Sequence, residues 1–589
     1  MKFGRKIHWQ FLEDELKAET EEFNKKFLSK AIALLSESEE MFVGQFLKFR
    51  DGEMIMKFPN TRSLPRKGEY LMCMVLPDEL RNYRNWGDMT YRDLYKTRYY
   101  ATEAVCIWHT PAEDKRFSLV GFNNINLDFA ASIESAPGII LTFAPQWPPI
   151  DYIMNLQKIV NDNLSTGVSQ VLDADYQKKN WEPYLIKQDN VADFVYTQLN
   201  LTGTMILQGP PGTGKTYMIS ELCERLCREC KSVMVTALTN RALMEIAEKP
   251  QLQKLLEEGK IYKTNITKDE YQELHKLQPL KEIAPIPSAL VLSTYYITSG
   301  FAAGLSIEQP FDYVIMDEAS QALLTMFAAS RKMGRKNLWV GDIKQLSPIV
   351  SLNGDRIKFC NYSTMVDGLQ VLADNSSWPI YQLTNTYRFG RRSADYTGIF
   401  YNGTLVSKNT NSIGLLPSLK RILNKDGGPN LVLTDMDASD RTPKFAILLA
   451  AYIVGSILTD DIKKDISVLT CLRKTTRELQ KAISQNIPAK ANVRVDTVAR
   501  IQGLTTDITI FFIPNTSYIR TMEPHLFNVA TSRAREHTII IADKNVLEYP
   551  ILKPNVRAFM EKLKQEQSIY IPSTKQDESL LLTKQLLIE

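Results

Sequence analysis

Five short runs of apolar residues punctuate the middle of the chain, at 204–208, 232–236, 289–292, 311–316 and 337–340, and each ends in small or polar residues. Runs of this length, bounded by turn residues, predict strands buried on both faces, the pattern of a parallel sheet. Helical-period stretches separate them, such as Ile219, Leu222, Cys223 and Leu226 after the first run. The alternation predicts a doubly wound α/β sheet, whose ligands sit at the carboxyl ends of the strands. Residues 243–285 read as inserted helices. A second series begins near Ile380, with strands predicted at 430–434, 466–470, 493–496, 508–513 and 538–542 and helices at 443–458, 474–485 and 553–567. It predicts a second α/β domain.

The N-terminal region has a different rhythm. Residues 11–40 are charged with apolar marks at Leu16, Phe23, Phe27, Ile32 and Leu35, which predicts a long helix serving as a stalk or strut. From Met41 the period shortens. Segments 41–49, 53–58, 69–76, 100–109 and 117–124 are rich in β-formers and separated by turns such as Asp51-Gly52, so 41–143 reads as a small β-barrel. Pro145 to Pro149 is a stiff connector, and a second helical stretch at 150–164 can pair with the first. The domain plan is a stalk helix (1–40), a barrel (41–149), a second stalk helix (150–180), two α/β domains (181–375 and 376–567) and a tail (568–589) that could dock on a partner protein or on the chain itself.

Composition narrows the class only a little. Hydrophobic content of 44% and charged content of 23% are ordinary for a globular protein, and a net charge of +4 permits nucleic-acid binding in a local groove without demanding it. Seven cysteines without a framework suggest a reducing compartment. Cys227 and Cys230 form a lone C-x-x-C and, with Cys223, are read as packed thiols. The longest uncharged apolar run, 445–458, is too short to cross a bilayer and reads as a buried helix. A soluble, intracellular, cytoplasmic monomer without membrane contact is expected.

Two constellations carry chemistry. Gly209-Pro210-Pro211-Gly212-Thr213-Gly214-Lys215-Thr216 follows the first strand and opens a helix. Glycines at this spacing let the backbone wrap a triphosphate with its N–H groups inward, a lysine reaches the β- and γ-phosphates, a hydroxyl holds Mg²⁺, and the helix dipole adds favourable charge. Asp317-Glu318 ends the fourth strand, where the aspartate suits Mg²⁺ and the glutamate suits a general base for attacking water. Gln345 follows the next strand and can sense the γ-phosphate. Arg388 and Arg533, in the second series, suit charge neutralisation on a transferring phosphoryl group. Gln188 reads equally as an adenine contact and as a surface amide. Tyr83, Arg84, Trp86, Tyr91, Arg92, Tyr95 and Arg98 interleave aromatic and basic side chains, which suits single-stranded nucleic acid or an amphipathic cap on the barrel.

In order, the phosphate loop, Thr239-Asn240-Arg241-Ala242, Asp317-Glu318-Ala319-Ser320-Gln321, Gly341-Asp342 with Gln345-Leu346, Tyr387-Arg388, Gln502-Gly503 and Asn528-Val529-Ala530 with Ser532-Arg533-Ala534 resemble superfamily-one helicases. The set looks most like the up-frameshift-like branch, with its senataxin and immunoglobulin-mu-binding types. The resemblance covers about residues 181–545 and, more weakly, the stalk and barrel before them. It implies two RecA-like domains with Mg-ATP between them and single-stranded DNA or RNA across their top, and 5′ to 3′ movement with duplex unwinding. It carries ATP-site roles onto Lys215, Thr216, Asp317, Glu318, Gln345, Arg388 and Arg533. Gly503 falls in a loop touching nucleotide and strand, and Thr239, Asn240, Ser293, Thr294 and Thr497 fall at nucleic-acid contacts. The sequence departs from the family at Thr505, where Glu is usual, at Thr470-Cys471-Leu472, where Thr-Pro-Tyr is common, and at Ser347, where Pro is usual. The first departure keeps open an ATP-gated clamp or sensor with little unwinding.

Overall fold

The computed structural model describes residues 4–60, 63–76, 88–96, 101–111, 116–174, 182–375, 378–438, 440–485, 487–488, 491–501, 503–514, 519–549 and 552–573. A closed barrel, a nine-stranded sheet and a six-stranded sheet follow one another along the chain.

The barrel runs in the order Phe42–Arg50, Glu53–Pro59, Phe117–Asn123, Ala101–Pro111, Tyr70–Val75, Ile140–Ala144. The last strand, which strand patterning did not single out, closes it. Alternate side chains point inward, and Phe46, Phe58, Phe122 and Phe143 fill the lumen, with Phe122 and Phe143 stacked at 4.3 Å. Register shifts at Phe46/Lys48 and Cys106/Trp108 curl the sheet. In the aromatic and basic stretch, Tyr83, Arg84, Trp86 and Arg98 lie outside the described residues. Tyr91 and Tyr95 pack inward instead. The Trp147 Nε1–H donates to the Tyr91 hydroxyl at 3.0 Å, and Tyr95 meets the Trp147 ring edge-on at 4.9 Å, which is how a cap behaves.

The helices Arg5–Phe23 and Ile150–Val160 lie side by side. Phe11 and Leu12 join Ile153, Leu156 and Ile159 in one core with Phe327 and Trp339 of the first sheet domain. The expected stalk is therefore a strut laid along that domain. Arg5 forks onto Asp173 at 2.8 and 2.7 Å, and the buried Glu15 carboxylate accepts the Ser351 and Leu352 N–H groups at 2.6 and 3.0 Å. His8 is fully buried beside them. Burial, then the charge of Arg5, pushes its imidazole down from 6.5 to about 4. A base depressed in this way costs stability on the acid side, because the unfolded chain takes up the proton first. Between pH 7 and 5 the wild type should lose about 2 kcal/mol that His8→Leu does not lose. Urea unfolding of both proteins at the two pH values checks this; equal losses would clear His8 of the effect.

The nine-stranded sheet is parallel throughout, in the order Gln278–Pro279, Ile261–Lys263, Ala289–Thr294, Ser232–Ala237, Phe311–Met316, Gly334–Gly341, Thr204–Gln208, Ile380–Leu383, Tyr184–Ile186. Two expectations change here. The insertion at 243–285 is not purely helical, since 261–263 and 278–279 extend the sheet. These strands are too short to show a period of two. The strand at Ile380–Leu383 pairs with Thr204–Gln208 and belongs to the first sheet, not the second.

The second sheet, also parallel, runs Val493–Thr497, Ile466–Thr470, Thr506–Phe512, Ala534–Asp543, Gly428–Thr434, Ser568–Tyr570. The apolar helix Lys444–Asp460 is buried against it, and among the described residues no helix is long and apolar enough to cross a membrane. The start of the tail serves as the edge strand Ser568–Tyr570; residues 574–589 lie outside the described set. Cys223 and Cys227 are packed as expected, but Cys230 is exposed, having left the helix that ends at Arg228.

Candidate nucleotide cleft and nucleic-acid turns

The strand Thr204–Gln208 is wholly buried and delivers the glycine loop to the edge of the sheet. Gly212 and Gly214 have φ of +73° and +79°, a region open to glycine. A methyl group on Gly212 would overlap Arg388, and one on Gly209 would overlap the Lys215 side chain. The Lys215 ammonium donates to the Gly209 carbonyl at 2.6 Å, inside its own loop. Thr216, partly buried, is the second residue of the helix Lys215–Arg228.

Asp317 and Glu318 stand at the end of Phe311–Met316. Glu318 has φ of +52°, a strained conformation for a residue with a side chain, which turns its carboxylate out of the strand line. Gln321 Nε2 donates to Glu318 Oε2 at 3.3 Å, and the Tyr295 hydroxyl donates to the Asp317 carbonyl at 2.5 Å. Burial pushes the Asp317 carboxyl up to about 6; burial and then the Asp317 charge push Glu318 up to about 7. Gly503, with φ of +86°, faces this carboxylate, since a methyl there would lie 3.5 Å from Glu318 Oε1.

Across the cleft the arginines close in. Arg533 Nη2 donates to Gln345 Oε1 at 3.0 Å, and Arg388 Nη1 to the Ser532 carbonyl at 3.0 Å. Burial lowers the pKa of Lys215, of Arg388 (to about 9) and of Arg533 (to about 10), and Arg388 and Arg533 each depress Lys215 further. A buried arginine, Arg533, and the partly buried Lys215 and Arg388, cations that oppose one another, face two carboxylates held above their usual range in a site short of both an anion and a cation. A triphosphate with Mg²⁺ supplies both, and Lys215, Thr216 and Asp317 are the groups able to hold them.

One hub was not singled out in the sequence. The buried Asp342 carboxylate accepts from Gln208 Nε2 (2.6 Å), Gln345 Nε2 (2.6 Å), the Lys344 N–H (3.0 Å) and the Tyr401 hydroxyl (2.7 Å). Tyr401 accepts in turn from Asn528 Nδ2 at 2.8 Å. The Gly341-Asp342 and Asn528 motifs were visible signals; Tyr401 and Tyr295 lie outside every motif. Tyr401→Phe removes one of the four donors to Asp342 and one of the two acceptors of the Asn528 amide, in a buried interdomain link. It should lower unfolding stability by about 1–3 kcal/mol and reduce ATP turnover more than ATP affinity. Unchanged unfolding and turnover would remove the hydroxyl from the link.

The other candidates are dispersed. Thr239, exposed, caps the helix Asn240–Ala247 by accepting the Ala242 N–H at 3.2 Å. Ser293 is fully buried and Thr294 nearly so, at the end of Ala289–Thr294. Thr497, partly buried, ends the outermost strand of the second sheet. Gln188 is exposed in the loop after Tyr184–Ile186, at the far edge of the first sheet from the insertion.

Two families, each described as an AAA domain, match residues 195–351 and 368–545, so the matches fall on the two halves of this cleft. The DNA replication ATP-dependent helicase/nuclease DNA2 of Saccharomyces cerevisiae is 24% identical over 441 residues, covering 66% of this chain and 28% of that protein. The DNA polymerase alpha-associated DNA helicase A of Schizosaccharomyces pombe is 21% identical over 418 residues, 58% of this chain and 61% of that protein. These matches support a superfamily-one helicase. They support an ATP-dependent nucleic-acid helicase enzyme. The chain spans 28% and 34% of the length of the two yeast helicase/nucleases it matches. Among solved structures, the helicase core is similar to Arterivirus nonstructural protein 10 (helicase), at 12% identity and a TM-score of 0.36 over 89% of this chain and 81% of that one. Its complex with DNA matches at 14% identity and a TM-score of 0.33 over 62% and 66%.

Proposed function

We propose that this chain couples Mg-ATP hydrolysis to 5′ to 3′ movement along single-stranded nucleic acid and to duplex unwinding. The observation that carries the reading is the double closure of the cleft by Arg388 and Arg533 over a phosphate loop and an acidic pair. Lys215 and the loop N–H groups hold the β- and γ-phosphates. Thr216 and Asp317 hold Mg²⁺, which supplies charge neutralisation at the phosphate oxygens when bound. Glu318 takes a proton from water as the water oxygen bonds to the γ-phosphorus and the bond to the β-phosphate oxygen breaks, releasing ADP. Arg388 and Arg533 stabilise the charge that develops. Gln345 senses the γ-phosphate, and its bond to Arg533 passes that state to the second domain. Gln188 contacts the adenine. Thr239, Asn240, Ser293, Thr294 and Thr497 grip the strand, and alternating grip in the open and closed cleft makes steps.

Asp317-Glu318-Ala319-Ser320-Gln321 and the barrel placed ahead of the motor support membership of the up-frameshift-like branch. The relatives named as DNA helicases favour DNA as the polymer. Thr505, replacing the usual Glu beside Gly503, favours the alternative of an ATP-gated clamp that signals to a partner. The test is steady-state ATP hydrolysis with no polymer, with single-stranded DNA and with single-stranded RNA, Glu318→Gln serving as blank, followed by unwinding of a labelled duplex. Stimulation by one polymer with unwinding supports the motor. Stimulation without unwinding supports the clamp, and hydrolysis indifferent to both polymers overturns the nucleic-acid reading.

A further inference from the structure

Two of the nucleic-acid turns share one support, and it comes from the insertion. Lys263, fully buried, donates from Nζ to Asn240 Oδ1 at 3.0 Å and to Glu270 Oε2 at 2.8 Å. The next residue, Thr264, donates from Oγ1 to Ser293 Oγ at 3.0 Å. Glu270 also accepts the Thr267 N–H at 3.0 Å, within the capping box of the helix Lys268–Glu273. The far side of this strap is stitched to the barrel. The Leu127 N–H donates to the Ile266 carbonyl at 3.1 Å, the Lys268 N–H to the Ile125 carbonyl at 2.7 Å, and the Asn124 N–H to Asp269 Oδ1 at 3.0 Å. The Lys268 ammonium pairs with Glu134 at 2.8 Å.

A buried lysine–glutamate pair is a poor way to gain stability, because an apolar pair of similar volume serves as well. What an apolar pair cannot do is orient an amide. Lysine only donates, so the atom of Asn240 that faces it is the oxygen, and the two N–H donors of the carboxamide face the other way.

We propose that Lys263 is a positioning residue for the nucleic-acid grip: it holds the Asn240 carboxamide with its donors turned outward to a strand phosphate, and the strap ties that setting to the barrel. The inference rests on the nucleic-acid reading of Asn240. Lys263 itself, having no exposed surface, touches no phosphate.

The test uses the full chain with Lys263→Met and with the paired Lys263→Met/Glu270→Leu, which leaves no unpaired buried carboxylate and so covers a single variant that fails to fold. The readouts are the concentration of the stimulating polymer at half-maximal ATPase, the rate at saturation, and the salt dependence of affinity. Half-saturation should rise about ten-fold in the folded variant while the saturated rate stays within about two-fold. The slope of log affinity against log salt should not change, because no counterion-releasing contact is lost. Unchanged half-saturation overturns the proposal. So does a slope shallower by about 0.7, which would make Lys263 a direct phosphate contact. A wild type that neither polymer stimulates overturns the nucleic-acid reading itself, a separate and recognisable failure.

Discussion

Glu318→Gln should bind Mg-ATP as the wild type does and turn it over at least about 10²-fold more slowly. The substitution keeps the volume and the Gln321 contact, and it removes only the capacity to take a proton. Two features of the site make that capacity costly to lose. The residue sits in a left-handed backbone conformation that aims it away from the strand, and its partly buried carboxylate stands beside the buried Asp317, which raises its proton affinity to a range useful for a base. Among the described residues, no other carboxylate is bonded to Gln321 or faced by Gly503. Single-turnover hydrolysis and equilibrium binding of a fluorescent ATP analogue separate the two effects. Turnover at the wild-type rate would remove Glu318 as the base, and lost binding would recast it as a ligand.

Arg533→Ala should lower turnover by about 10³- to 10⁵-fold, and Arg533→Lys should recover little of it. The guanidinium makes three fixed contacts, to the Val529 carbonyl at 3.0 Å, the Leu504 carbonyl at 3.4 Å and Gln345 Oε1 at 3.0 Å. A lysine ammonium cannot reproduce that fork. The control lies two residues on: Arg535, half-exposed and paired with Asp507 at 2.9 Å, should tolerate alanine with less than about two-fold change, as surface pairs contribute little. Similar losses at both positions would mean that bulk positive charge, not placement, matters in the cleft.

The residues proposed to meet phosphate were legible because their chemistry fixes their spacing. A triphosphate needs a tight glycine turn, a lysine just beyond it and a helix start, and nothing else satisfies all three. The buried strands were legible for a related reason, since burial on both faces leaves an unbroken apolar run. What escaped was non-local. Lys263 is charged and fully buried, and hydrophobic patterning places such a residue on a surface; only its pairing with Glu270 and Asn240 makes burial tolerable. Tyr401 and Tyr295 act through one hydroxyl each, at points where distant segments meet. The strand at Ile380–Leu383 has the right composition but no local mark that the chain returns to a sheet begun far upstream.

That return has a mechanical consequence. Four residues separate the end of the strand, Leu383, from Arg388, and the connecting backbone is itself pinned to the phosphate loop: the Thr386 hydroxyl donates to the Pro211 carbonyl at 3.0 Å and the Tyr387 N–H to the Gly212 carbonyl at 2.8 Å. Arg533, by contrast, hangs from the helix Pro524–Thr531 of the other lobe. If the lobes part during the proposed cycle, this anchoring keeps Arg388 beside the phosphate loop as a resident counter-charge, and Arg533 withdraws with its lobe like a shutter. On the proposed reading the two arginines are therefore not a matched pair of fingers: one would set how firmly the phosphates are retained between strokes, and the other would decide when a stroke is fired.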